Sequence, residues 1–293
     1  MKVLITGGNG FLARHLLRFL QNKNFELFSI TKSEFVDCDD LQVTNFCCDI
    51  TDENLVDYNV NQIKPNIVVH CAAMSKPNDC EIDKQLCIKT NVYATALLAK
   101  SSTNHNAHFI FLSTDFVYGE GNNHCEDDEC KPINFYAESK LLAEKMVKQT
   151  TNNYTIIRPV FIYGAATNKV RKTFVQWVVD SLLKNQTIQV VDDQIRTPTY
   201  VEDICRAIET IINEKQLGTF NLSGSQIITP FEMALKIATL INLDTRLIIP
   251  VNENNFNETV KRAKKSIVSI EKANTLLNYN PLSFDEGIKK CFS

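Results

Sequence analysis

The 293-residue chain lacks a long uninterrupted apolar run, an excess of basic charge, a repeated cysteine spacing and any low-complexity tract or internal repeat. Each absence removes a class of function. In the opening "MKVLITGGNGFLARHLLRFL", Gly7, Gly8, Asn9, Gly10, Arg14 and His15 break up the apolar positions, so neither a signal-peptide core nor a membrane span is expected. That points to a cytoplasmic protein. A net charge of −3 provides no field for nucleic acid or a membrane surface. Ten cysteines without an export signal are expected to be reduced thiols, several acting as small hydrophobes in runs such as "NFCCDI" and "IVVHCAA". "HCEDDEC" (124–130) has no second Cys/His pair to complete a tetrahedral zinc site, so a solvated acidic loop and no metal are expected.

What is present is a regular alternation. Short apolar runs ("KVLIT", "FELFSI", "NFCCDI", "NIVVHCA", "HFIFLST", "YTIIRPV") alternate with helical patterns, notably "GFLARHLLRFLQN", "LCIKTNVYATALLAKSS" and "FYAESKLLAEKMVKQT". Fully apolar strands separated by helices predict parallel βαβ units, because both faces of such a sheet must be covered. The fold class expected is α/β: a doubly wound parallel (Rossmann) sheet over about residues 1–160, with a smaller substrate-binding lobe over 161–293. Within that lobe a helix is expected over "KTFVQWVVDSLLKN", then a strand "IQVV", a loop "DDQIRTPTY" and a helix "VEDICRAIETIINE". A strand "GTFNLSG", a helix "TPFEMALKIATLIN" and a last strand "RLIIPV" follow, with elements around 199–224 returning to the sheet. The basic run "KRAKKS" (261–266) reads as a solvated face.

"VLITGGNGFLA" places Gly7, Gly10 and Ala13 in a G-x-x-G-x-x-A pattern at the first strand–helix junction. Glycine permits the tight turn and a close approach to a diphosphate resting on the helix N-terminus, so Gly7, Asn9, Gly10, Phe11 and Leu12 are candidate dinucleotide contacts. After the second strand, an acidic residue would hold both ribose hydroxyls, whereas a basic one suits a 2′-phosphate. Here Thr31 and Lys32 follow and Glu34 comes too late. NADP(H) is therefore favoured, with Lys32 as phosphate partner, and NAD(H) stays open.

These segments together resemble the extended short-chain dehydrogenase/reductase family, and within it the dTDP-4-dehydrorhamnose reductases. The matching stretches are "TGGNGFLA", "HCAAMS", "KTNVYAT", "STDFVYG", "YAESKLLAE", "IIRPVFIYG", "DDQIRTPTYVEDI" and "RAKKSIVSIEKANTLLNYNP", in order over nearly the whole chain. The resemblance implies that Tyr136 and Lys140 form the Y-x-x-x-K pair and that Thr114 is the hydroxyl member of a catalytic triad. It implies cofactor contacts at Asp49 and Ile50 beside the adenine, at Cys71, Ala72 and Ala73 after the fourth strand, and at Pro159 beside the nicotinamide. Ser75, Ser113, Thr114, Asp115, Phe161 and Arg196 are the implied substrate contacts, Arg196 on a diphosphate. Many of these reductases carry a tryptophan where this chain has Phe161, which leaves the exact sugar open. The implied partner is a nucleotide sugar, and a homodimer stays open.

The chemistry fits those residue types. Reducing a ketone needs a hydride on carbon and a proton on oxygen. Tyrosine titrates near pH 10 by itself, and a nearby ammonium is expected to lower that value. Positions i and i+4 share a helix face, so Lys140 can reach both Tyr136 and the nicotinamide ribose. Thr114, at a strand end, would donate to the carbonyl. Ser113 could equally pin its turn, and Asp115 could orient backbone. His70 reads as a core histidine and Trp177 as packing. A 4,6-dehydratase would need an Asp-Glu pair, and Asp115 is followed by Phe116. A 4-epimerase shares the Tyr/Lys chemistry, and a non-catalytic NADP-binding regulatory subunit or redox sensor shares the fold.

Overall fold

A computed structural model describes residues 1–36, 40–165, 173–255 and 260–292. Cys38, and Lys172 at the start of one expected helix, lie outside the described residues. Seven parallel strands form the central sheet: β1 (Lys2–Thr6), β2 (Glu26–Thr31), β3 (Thr44–Cys47), β4 (Ile67–His70), β5 (His108–Leu112), β6 (Tyr154–Pro159) and β7 (Gly218–Leu222). Their order across the sheet is β7-β6-β5-β4-β1-β2-β3. The winding reverses between β1 and β4, and ligands bind at such a reversal, beyond the carboxyl ends of the strands.

Alternate side chains of each strand feed two cores. Val3 and Ile5 pack with the helices Phe11–Leu20, Val201–Glu214 and Pro230–Leu240, whereas Leu4 packs with Glu53–Ile63, Ala94–Thr103 and Phe135–Thr150. With both faces covered, a strand must be apolar throughout, and Val3, Leu4 and Ile5 are fully buried. Helix ends follow from local chemistry. The Asn134 side chain accepts from the Ala137 amide at 2.9 Å to start Phe135–Thr150, and Thr229 forms a capping box with Glu232 to start Pro230–Leu240.

Outside the central sheet, three small parallel ribbons form. Ile188–Val191 pairs with Ile248–Val251, Ile162–Tyr163 with Thr199–Tyr200, and Gly121–His124 with Ser266–Val268. The run 261–266 is tied down rather than simply solvated: the Glu120 carboxylate accepts from the Lys264 and Lys265 amides at 2.7 and 2.9 Å. Among the described residues, no helix is long and apolar enough to cross a membrane. Nor does any group of three or more His, Cys, Asp or Glu side chains there suit a metal. The nine described cysteines are free. The acidic loop after His124 is anchored: the Glu126 carboxylate accepts from the Asn221 amide and its carbonyl from Arg158, at 2.9 and 3.1 Å.

Candidate active site

The carboxyl ends of β1, β2, β4, β5 and β6 gather most of the residues singled out in the sequence. After β1 the Gly7 amide donates to the Ile30 carbonyl at 2.8 Å, and the Gly10 amide turns back to the Gly7 carbonyl at 2.6 Å. Gly7 has φ +73°, and a Cβ there would lie 2.9 Å from the Ala72 Cα, so only glycine fits. Gly10 precedes the helix Phe11–Leu20, which no side chain caps. A Cβ on Gly10 would meet only the Gly7 carbonyl, at 3.0 Å, so the space over those first-turn amides is a cradle that a larger residue would fill. Uncapped amides and the helix dipole suit a diphosphate. Asn9 does not face that cradle alone: its side chain donates to the Glu34 carbonyl at 2.8 Å and accepts from Arg14 at 3.0 Å, tying the loop to the segment after β2.

At the end of β2 the buried Thr31 hydroxyl donates to the Ser33 carbonyl at 2.8 Å. Lys32 projects outward, its side chain 75% exposed, and pairs with Asp49 at 2.9 Å. Asp49 also accepts from the amide and hydroxyl of Thr51, both at 3.0 Å, and the neighbouring Ile50 is buried. Its hydrogen bonds from Lys32 and Thr51 outweigh the opposing, larger single effect of burial and hold its carboxyl below the usual range. A basic side chain at the β2 end, tethered by a neighbouring carboxylate, is compatible with a 2′-phosphate.

Beyond β4 the chain runs through Cys71, Ala72 and Ala73 to an exposed Ser75. Thr6 binds this turn to β1, its hydroxyl accepting from the Ala72 amide at 3.2 Å and contacting His70 Nδ1 at 2.7 Å. His70 Nε2 meets Thr95 at 3.0 Å, and burial pushes the ring down to about 3. It is a neutral, satisfied core histidine, as its apolar strand suggested. Asn91 is the residue that sequence reasoning passed over. Its amide oxygen accepts from the Met74 amide at 2.8 Å, while its nitrogen donates to the Met74 carbonyl at 3.0 Å and to Ser139 Oγ at 2.9 Å. It sits in a π-helical turn, Lys89–Tyr93, whose extra residue re-aims the side chain inward. The available signal was an asparagine within the helical "KTNVYAT", four residues after Cys87 and four before Thr95 on one helix face, both of which are buried.

Thr114, following β5, caps a short 3₁₀ turn by accepting from the Phe116 amide at 3.2 Å. Its hydroxyl donates to Asp115 at 3.3 Å and lies close to the phenol of Tyr136, which stands edge-on to Phe116 at 6.2 Å. Lys140, one turn further along, is buried with Nζ 4.0 Å from the centre of the Phe111 ring and within electrostatic range of Cys71. The triad residues thus converge between the ends of β4 and β5. Their electrostatics correct one expectation. Burial first, then the carboxylate of Asp115, pushes the Tyr136 phenol up rather than down, and Lys140 is not among the main influences on it. Burial brings Lys140 down to about 7, against the pull of Glu144. The protein alone therefore keeps the phenol protonated and the amine poised between its two forms at neutral pH.

The candidate substrate residues divide. Ser113 is committed inward, donating at 2.5 Å to Glu144, which pairs with Arg158 at 2.6 and 2.9 Å in a buried network reaching Tyr118 and Asn221. Asp115 is buried and accepts from Ser266 at 2.5 Å, fastening the 266–268 ribbon to the site. Arg196 is only 3% exposed and donates to Gln194 at 2.8 Å and to the carbonyls of Ile195 and Lys264 at 2.8 and 3.3 Å. It faces Asp115, yet much of its donor fork is already engaged. Beyond the buried Pro159, Phe161 holds φ +32°, a costly conformation for a bulky residue, on the order of 1–3 kcal/mol. The Thr199 amide and hydroxyl pin that turn, through the Phe161 and Val160 carbonyls at 3.1 and 2.5 Å. The Phe161 ring meets Phe174 edge-on at 5.7 Å, and Phe174 in turn packs on Trp177, which is 37% exposed and so only partly a packing residue.

With this arrangement in place, the comparisons are decisive. The chain matches the RmlD substrate binding domain family over residues 1–293. It belongs to that family. Among curated relatives, the spore coat polysaccharide biosynthesis protein SpsK of Bacillus subtilis (strain 168) is 31% identical, covering 89% of this chain and 87% of its own. The methionine adenosyltransferase 2 subunit beta of Mus musculus is 28% identical, covering 99% of this chain and 86% of its own. Among solved structures, dTDP-4-dehydrorhamnose reductase (rfbD) from Bacillus anthracis, in complex with NADP, superimposes with a TM-score of 0.86 at 29% identity, covering 99% of this chain and 98% of that one. This RmlD-family chain therefore has the Rossmann-like architecture of the NAD(P)-dependent extended short-chain dehydrogenase/reductases.

Proposed function

We propose that this RmlD-family protein reduces the 4-keto group of a 6-deoxy sugar nucleotide of the dTDP-4-dehydrorhamnose type, with NADPH as the dinucleotide. The observation that carries the reading is the convergence of Thr114, Tyr136 and Lys140: the Thr114 hydroxyl lies close to the Tyr136 phenol, and Lys140 stands one turn along the same helix over Phe111 of β5. NADPH, when bound, supplies the hydride. Gly7, Gly10 and the first-turn amides of Phe11 and Leu12 hold its diphosphate, Lys32 its 2′-phosphate, and Asp49 with Ile50 flanks its adenine. Thr114 donates a hydrogen bond to the substrate carbonyl, and Tyr136 passes its phenolic proton to the oxygen as that oxygen gains charge. A phenol held protonated by burial is in the form that reduction requires. Lys140 orients the ribose and, in its ammonium form, stabilises the phenolate left behind. Asp115 and Arg196 close the substrate side, with Phe161 supplying an apolar face to the sugar.

A second reading has specific support: similarity to the methionine adenosyltransferase 2 subunit beta spans 99% of this chain, and the Arg196 fork is largely engaged within the protein. On that reading the chain binds NADP as a subunit of another enzyme. Mixing purified protein with NADPH and a panel of dTDP-4-keto-6-deoxyhexoses, and following loss of NADPH absorbance, separates the two. Turnover supports the reductase. Tight NADPH binding without turnover on any member of the panel supports the subunit.

A further inference from the structure

Beneath the candidate site lie two thiols that the chemistry above does not use. Cys80 sits in the short helix Pro77–Ile82 and Cys87 in Lys84–Ile88, with a single residue, Asp83, between the helices. Both are fully buried, and their sulfurs lie within electrostatic range of one another. Each is also bound to the scaffold of the site. Cys80 Sγ donates to the Met74 carbonyl at 3.2 Å, and Asn91 Nδ2 donates to Cys87 Sγ at 3.4 Å. The same Asn91 grips both backbone groups of Met74 and the hydroxyl of Ser139, which precedes Lys140. Two neighbouring thiols thus share their partners, Met74 and Asn91, with the clamp that fixes the turn after β4 against the Tyr136/Lys140 helix.

We propose that Cys80 and Cys87 form an oxidisable pair whose conversion to a disulfide loosens the Asn91–Met74 clamp and switches the site off. The oxidant is a small-molecule disulfide. The Cys87 thiolate attacks one sulfur of R–S–S–R, and the departing R–S⁻ takes up a proton. The Cys80 thiolate, having lost its proton to solvent, then attacks the Cys87 sulfur of the mixed disulfide and expels the second R–S⁻. Two thiols are oxidised and one external disulfide is reduced to two thiols. Cys87 Sγ receives a hydrogen bond from Asn91, which favours its thiolate, whereas Cys80 Sγ donates to a carbonyl and is held as a thiol, so Cys87 is the attacking sulfur. Because both sulfurs are buried, exchange requires residues 77–88 to open, and a flanking surface that leaves Ile82 84% exposed suits such local opening. In the product, drawing the sulfurs together removes the Cys80 donor from Met74 and weakens Cys87 as an acceptor for Asn91.

The switching of turnover rests on the reductase reading, whereas the pairing and its effect on Met74 do not. The test equilibrates the protein in graded ratios of oxidised to reduced glutathione, then maps disulfides by mass after alkylation and follows amide exchange at Met74. A Cys80–Cys87 link, faster exchange at Met74 and a loss of turnover on the order of 100-fold, all reversed by dithiothreitol, are expected. Cys80→Ser should show no oxidant-dependent change relative to its own reduced form. Glutathione attached to the exposed Cys47 and Cys125, with no Cys80–Cys87 link at full oxidation, overturns the proposal. So does a link that leaves Met74 exchange unchanged. A reduced protein that turns over no keto sugar removes the reductase reading, and mapping with exchange still decides the thiol pair.

Discussion

Replacing Asn91 with alanine tests how the site is held together. The side chain is 1% exposed and makes hydrogen bonds of 2.8 and 3.0 Å to the amide and carbonyl of Met74, with a third of 2.9 Å to Ser139. Ser139 keeps its bond to the Tyr136 carbonyl at 2.7 Å, so the main loss falls on Met74. The Met74 amide loses its partner at a cost of about 1–3 kcal/mol, and its carbonyl keeps only the weakly donating Cys80 thiol, giving a total of roughly 1–4 kcal/mol. Against a stability of about 5–15 kcal/mol that is a large fraction, and it corresponds to a midpoint lowered by several degrees, at about 2–4 °C per kcal/mol. Urea unfolding of Asn91→Ala beside the parent measures it, with amide exchange at Met74 as the local readout. A destabilisation below about 1 kcal/mol, or unchanged exchange at Met74, would refute the clamp, because a lost surface bond costs no more than that.

Further outcomes follow from other contacts. Glu144→Ala strands the buried Arg158 guanidinium and should destabilise by about 3–5 kcal/mol in the same unfolding assay; a cost near zero would mean that water satisfies Arg158. Gly7→Ala, with φ +73° and Ala72 in the way, should abolish dinucleotide binding in a fluorescence titration, and near-normal affinity would place the diphosphate elsewhere. Lys32→Ala should weaken NADPH more than NADH, and equal losses would end its phosphate role. His70 and His108 are held neutral by burial, at about 3 and 4. The unfolded chain binds protons at both near pH 6.5 while the folded chain does not, so stability falls as pH drops from about 6.5 toward 4, approaching ~1.4 kcal/mol per pH unit for each. Urea unfolding between about pH 5 and 6.5, above most carboxylate titration, should show that slope, and a flat profile contradicts the burial.

The first 160 residues were legible because their signals are local and repetitive. Apolar runs placed the six strands that these residues give to the central sheet, and "FYAESKLLAEKMVKQT" matched the helix Phe135–Thr150 residue for residue. The helix Glu53–Ile63 went unnamed, since only Val56, Val60 and Ile63 of its apolar face are buried among polar neighbours and its start depends on the Asp52 cap. The ribbons of two to four residues near the substrate side, Ile162–Tyr163 with Thr199–Tyr200 and Gly121–His124 with Ser266–Val268, leave no periodic trace because their pairing is long-range. At the site, residue types were legible and their commitments were not. Nothing in the sequence shows that Ser113 turns to Glu144, that Arg196 spends its donors on nearby carbonyls, or that burial outweighs the lysine in setting the Tyr136 phenol. Those depend on what packs around each group.

The most direct test of the proposed chemistry is Tyr136→Phe, assayed with NADPH and a dTDP-4-keto-6-deoxyhexose that the parent turns over. Removing one hydroxyl should lower kcat on the order of 100-fold to 10,000-fold while leaving the NADPH Kd nearly unchanged. A variant that keeps most of the parent's turnover would contradict Tyr136 as the proton donor.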